Sequence, residues 1–191
     1  TGQDTIISPV ANPWLTTDMR NTLNFIAEGT IEFQRTVSVA WCSYSFIMQL
    51  RDWLPNEVGG VCWFSFDNPG QSPRIPIFSG TTQLPAGYEY CGQKRYREDA
   101  ALWAYRKANK LATVNWGKTR ETVMGNVLSF ESKAMDELPS LELKIQTLNK
   151  KNNNKEVSQS LNQFTANFNG AAIQRWKEME HQFWGMFGKG F

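Results

Sequence analysis

Apolar positions along this chain change their spacing near residue 97. Upstream they fall in short runs broken by Gly, Pro and Asn, and downstream they recur every three to five residues. Thr16, Thr17 and Asp18 are N-cap residue types, so a short helix is predicted over Met19 to Ile26, with Gly29 ending it. Thr36 to Leu50 reads as a first strand. Val37, Val39 and Trp41 share one parity, and Thr36, Ala40, Cys42, Tyr44 and Phe46 share the other. Apolar residues of both parities predict a strand covered on both faces. Trp53 to Asn56 is a turn, and Gly59-Gly60 opens a second strand, Val61 to Phe66, so the pair is expected as a long antiparallel hairpin. The stretch Trp63 to Pro85 then leaves the strand, crosses a loop containing Asp67, Asn68, Pro69, Ser72, Pro73 and Arg74, and re-enters an apolar run. Its four prolines each fix φ and remove a donor, which predicts shaped irregular backbone rather than sheet interior.

The downstream half is predicted helical over 97–187. Arg97-Glu98-Asp99 opens a first helix as an acidic first turn, and Leu102, Tyr105, Ala108 and Ala112 form its stripe. Trp116-Gly117 interrupts it. Val123, Val127, Phe130 and Ala134 mark a second helix, which Pro139 is expected to kink or restart before Leu141, Ile145 and Leu148 continue the face. The polar run Lys150 to Lys155 is a connection. Val157, Leu161, Phe164, Phe168, Ala172, Trp176, Met179 and Phe183 then define a last helix of roughly 40 Å.

An α+β unit follows: strands and loops over 1–96, helices over 97–187, one unit over 1–191. Two lone strands with apolar residues on both faces are not stable alone and need more strands beside them. Charged residues are 20% and hydrophobic ones 41%, which excludes a disordered chain. The net charge of +2, with no basic run beyond Lys150-Lys151, argues against nucleic acid as a partner. No apolar run reaches the roughly 18 residues of a membrane helix. Thirteen per cent aromatics, eight of them Trp, point to a large buried area or one presented to a partner. Cys42, Cys62 and Cys91 lack metal-ligand spacing, and Cys42 and Cys62 are expected as buried free thiols.

The segments NPWLTTDMRNTLNF, EFQRTVSVAWCSYS, QLRDWLP, DNPGQSPRIPIF and the YR…W…ANKLA helix resemble the C-terminal half of the PepD-type cysteine dipeptidases, from near Ser8 to about Leu148. The resemblance implies an N-terminal-nucleophile hydrolase: two stacked antiparallel sheets between helical layers, an αββα sandwich. This chain would contribute the last antiparallel core strands and the C-terminal helices. It also implies a cysteine nucleophile at the first residue of the mature enzyme, outside this chain. The expected partners are the N-terminal part of the same enzyme and a dipeptide substrate. No cofactor is implied, a homo-oligomer is left open, and the compartment, bacterial cytoplasm or periplasm and beyond, is undecided.

Within the chain no catalytic residue and no metal ligand set is assigned. Thr1 could in principle be an autoprocessed nucleophile with its own amine as base, or simply a chain end. His181, the only histidine, is expected at a solvated position near the tail. Arg51-Asp52 is read as a local ion pair or turn. Asp67, Asn68 and Arg74 are the candidate substrate-binding residues: Arg74 could hold a dipeptide carboxylate through paired hydrogen bonds, and Asp67 could accept its amine. The competing reading is that Asp67 and Asn68 cap a turn before Pro69 and that Arg74 ties down the loop. A module that binds another protein through its aromatic surface and long helix is the remaining alternative.

Overall fold

A computed structural model describes residues 12–33 and 35–188. The elements in chain order are α1 (Thr17–Ile26), β1 (Tyr44–Leu50), α2 (Asn56–Gly59), β2 (Gly60–Phe66), β3 (Ile75–Phe78), α3 (Ala101–Val114), α4 (Trp116–Lys150) and α5 (Asn154–Phe187). The strands form one antiparallel sheet in the order β1-β2-β3, with Tyr44 opposite Phe66 and Leu50 opposite Gly60 in the first pair. The fold is therefore α+β, as the spacing of apolar residues predicts.

β2 is the middle strand, and its burial alternates. Val61, Trp63 and Ser65 are buried, while Cys62, Phe64 and Phe66 are half-buried. The buried face lies on α5: Thr165 Oγ1 donates to the Pro76 carbonyl at 2.9 Å, and the Phe78 and Phe164 rings meet edge to face at 5.8 Å. Pro76 is tolerated because β3 is an edge strand and needs no inward donor there. Below the sheet, α3, α4 and α5 share one core. Its largest fully buried side chains include Trp176, Tyr105, Phe183, Ile145 and Leu161. Seven of the eight stripe residues predicted for α5 are buried, and Phe164 is partly so. α5 is capped by Asn153, whose side chain accepts from Glu156 N–H at 3.3 Å and donates to its carboxylate at 2.7 Å.

Several expectations are corrected. The first strand is Tyr44–Leu50, not Thr36–Leu50. Residues 36–43 lose their ladder because side chains take their carbonyls: Trp14 Nε1 donates to Ser38 O at 2.6 Å, Arg106 Nη2 to Cys42 O at 2.9 Å, and Lys110 Nζ to Ala40 O. β1 is also not covered on both faces. Tyr44, Phe46, Ile47, Met48 and Leu50 are all more than half exposed. α3 starts at Ala101, because Arg97 and Asp99 pair with each other in the preceding turn and Glu98 reaches forward to Lys107. Pro139 neither ends nor restarts α4, which runs unbroken over 35 residues. Arg51-Asp52 stands in a turn, as one of its two readings has it, with Leu54 N–H donating to Arg51 O at 3.3 Å. The ion pair of Arg51, however, is with Glu142 of α4 rather than Asp52, and Arg51 Nη2 donates to Val58 O at 2.9 Å. Cys42 and Cys62 are half-buried rather than buried, because Cys42 lies in the irregular segment and Cys62 on the open side of β2. His181 is exposed on α5, as expected, and Thr1 lies outside the described residues.

Candidate functional site

The loop between β2 and β3 is organised around two buried side chains. Asp67 leaves β2 at φ 59°, the left-handed region that is uncommon for residues with a Cβ but that Asp and Asn enter more readily than most. Its backbone N–H donates to Ser43 O at 3.0 Å, and its carboxylate is 0% exposed. Burying a lone carboxylate would be prohibitive, so the charge is matched. Arg106 Nε donates to Oδ1 at 2.8 Å and Asn109 Nδ2 to Oδ2 at 3.0 Å, both from α3.

Asn109 is the hub of this network. Its Nδ2 also donates to Ser72 Oγ at 2.8 Å, and its Oδ1 accepts from Trp176 Nε1 of α5 at 3.0 Å. One amide thus ties both ends of the loop to two helices. Asn68, 0% exposed as well, forms the turn itself. Its Oδ1 accepts from Gly70 N–H at 3.0 Å and from Ser38 Oγ, and its Nδ2 donates to Gln71 Oε1 at 3.0 Å. Gly70 is packed closely here: a Cβ would sit 2.6 Å from Ser38 Oγ and would displace that hydroxyl from its bond to Asn68. Arg74 Nη1 donates to Glu131 of α4 at 2.9 Å; its side chain is 28% exposed, and its Nε is buried without a hydrogen-bond partner among the described residues.

Asp67 and Asn68 are therefore both buried at the start of the loop, Asp67 in the network centred on Asn109 and Asn68 in a separate turn with Ser38, Gly70 and Gln71, and Arg74 lies at the far end of the same loop, against α4. The sequence pattern does not single out Arg106, Asn109 or Ser38, and it marks Trp176 only as part of the apolar stripe of α5. One signal existed: Asn109 is a polar residue beside Ala108 on the apolar stripe of α3, and a buried polar group needs partners. Lys110, which reaches the 36–43 segment, is partly desolvated, and that burial lowers its pKa.

Among the described residues no Cys, Ser or Thr side chain is hydrogen-bonded to a histidine or lysine side chain, and no group of three or more His, Cys, Asp or Glu is arranged to hold a metal. Among the described residues no helix is long and apolar enough to cross a membrane. A mixed fold with a buried polar loop behind a half-open sheet is compatible with a hydrolase domain, and the comparisons with known proteins make that specific. A family model described as peptidase family C69 matches residues 12–128, more than half of the chain. The chain belongs to peptidase family C69, a family of cysteine-type peptide hydrolases. Comparison with curated proteins gives no match.

Proposed function

We propose that this chain is the C-terminal portion of a cysteine dipeptidase whose N-terminal Cys nucleophile lies outside it. The N-terminal part of the same enzyme would cover the open side of the sheet. The observation that carries this reading is β1. Among the described residues it is an edge strand, paired with β2 on one side only, and five of its seven residues are exposed apolar side chains, Leu50 at 77%. Proteins blunt such edges with charges, bulges or prolines, and β1 has none of these. A further strand beside β1 and a second layer over Phe46, Met48 and Leu50 would satisfy both needs. In the assembled enzyme the cysteine thiolate would attack the dipeptide carbonyl and release the leaving amine. Water would then hydrolyse the acyl-enzyme. The 67–74 loop would form one wall of the cleft. Arg74 would hold the substrate carboxylate, and Asp67 and Asn68 would fix the backbone that presents it.

The test is reconstitution. The isolated chain should not hydrolyse a dipeptide panel, and the chain combined with the N-terminal part should. Phe46→Lys should leave the melting temperature of the isolated chain unchanged yet prevent reconstitution. In the assembled enzyme, Arg74→Lys keeps the charge but loses the planar fork, so kcat/KM should fall more than the unfolding midpoint. Turnover by the isolated chain that disappears in Thr1→Ala would overturn the proposal in favour of an autoprocessed subunit.

A further inference from the structure

A cleft of about 340 Å³ opens at the end of the sheet where the 67–74 loop departs. Its floor is aromatic. Phe66, the last residue of β2, meets Tyr88 edge to face at 4.8 Å, and Tyr44, paired with Phe66 across the strands, forms the adjoining wall. Leu102 of α3 closes the back. The Tyr88 hydroxyl is turned inward, buried without a hydrogen-bond partner among the described residues, so the ring face and edge are what the cleft presents.

The rim is irregular backbone, but it is pinned. Trp103 Nε1 donates to Gly92 O at 2.8 Å and Arg95 O at 3.1 Å. Gly92 packs so closely on α3 that a Cβ would lie 3.1 Å from the Trp103 ring. The floor is held by the same network that shapes the loop, because Ser43, which lines the cleft, accepts from Asp67 N–H. The only charged residue in the lining is Glu89, which is exposed and forms no ion pair among the described residues.

We infer that this cleft is the side-chain pocket for the N-terminal residue of a short peptide, taking an apolar or aromatic side chain on Phe66, Tyr88 and Leu102 and the free α-amine at Glu89. The inference rests on the peptidase reading and adds to it a preference that family membership does not supply. The volume suits one large side chain and excludes little smaller than that, so selectivity comes from burial: a phenylalanine side chain should bind about ten to a hundred times more tightly than glycine. A lining with one carboxylate and no Lys or Arg favours an amine over a carboxylate at this end. Glu89 is solvent-exposed, so its contribution should be only about threefold to fivefold.

The experiment reads binding, not turnover. The uniformly ¹⁵N-labelled chain is titrated with Phe-Gly, N-acetyl-Phe-Gly and Gly-Gly and followed by amide shifts. Phe-Gly should perturb Tyr44, Tyr88, Glu89 and Gly92 saturably. Gly-Gly should bind at least tenfold more weakly, and acetylation should cost about threefold to fivefold. Glu89→Gln should remove the difference between free and acetylated peptide, and Cys91→Trp, a filling substitution at an exposed position, should abolish the shifts. Equal affinity for Gly-Gly, shifts confined to Phe46, Met48 and Leu50 on the open strand, or binding indifferent to Cys91→Trp would each overturn it. In the assembled enzyme, dipeptide hydrolysis without side-chain preference would keep the peptidase reading and remove the pocket. Saturable binding here without dipeptide turnover would keep the pocket and remove the dipeptidase reading.

Discussion

Replacing Asn109 by leucine tests the polar network, because the two side chains share one branched heavy-atom skeleton and the change removes hydrogen bonds without opening a cavity. Asn109 is 1% exposed and makes three bonds, to Asp67, Ser72 and Trp176. After substitution Asp67 keeps Arg106 but loses its second donor, the indole N–H of the fully buried Trp176 has no acceptor, and the Ser72 hydroxyl can turn elsewhere. An orphaned buried partner costs about 1–3 kcal/mol, so two such losses amount to about 2–6 kcal/mol. Total stability for a domain is about 5–15 kcal/mol, so Asn109→Leu should remove a large part of it. Urea unfolding followed by far-ultraviolet circular dichroism reads the midpoint, and an unchanged m-value keeps the comparison valid. A cycle with Asp67→Asn should show coupling, since the two residues act through one bond. A loss below about 1 kcal/mol at unchanged m would refute the claim that this amide holds the loop to α3 and α5.

Phe168 is 5% exposed and meets Phe130 edge to face at 5.6 Å, so Phe168→Ala should cost about 3–5 kcal/mol by chemical denaturation. Gly59→Ala would place a Cβ 2.7 Å from the Arg51 carbonyl, where only backbone can yield; a melting temperature equal to the parent's would show that the close approach is not required. Burial holds the Tyr88 and Tyr105 phenols above their ordinary value, with the neighbouring Tyr105 adding to the effect at Tyr88. Their contribution to stability is intact below about pH 10, where the unfolded phenols titrate, and is lost as pH rises through the higher folded values. The Tyr88→Phe/Tyr105→Phe chain should therefore lose less stability between about pH 9 and 11 than the parent, and parallel slopes would contradict this.

The apolar spacing alone determined the long elements. The α5 stripe from Val157 to Phe183, the β1–β2 hairpin and the run of helices after residue 97 are local patterns, and burial of one face follows from them wherever the face can find a partner. The resemblance carried by DNPGQSPR and its flanking segments was also legible, because it resides in contiguous residues. Tertiary structure decided what contiguity cannot encode. Thr36 to Ser43 has strand-like residues, yet Trp14, Arg106 and Lys110 capture its carbonyls, so the ladder never forms there. Asp67 and Asn68 are polar loop residues by type, but the fold turns both inward, onto partners up to 42 residues away. Asn109 joins Asp67 to Trp176, a further 67 residues on. Apolar burial is nondirectional and follows from composition and period, whereas a buried hydrogen bond requires two particular atoms to converge within about 3 Å, and only the folded chain brings them there.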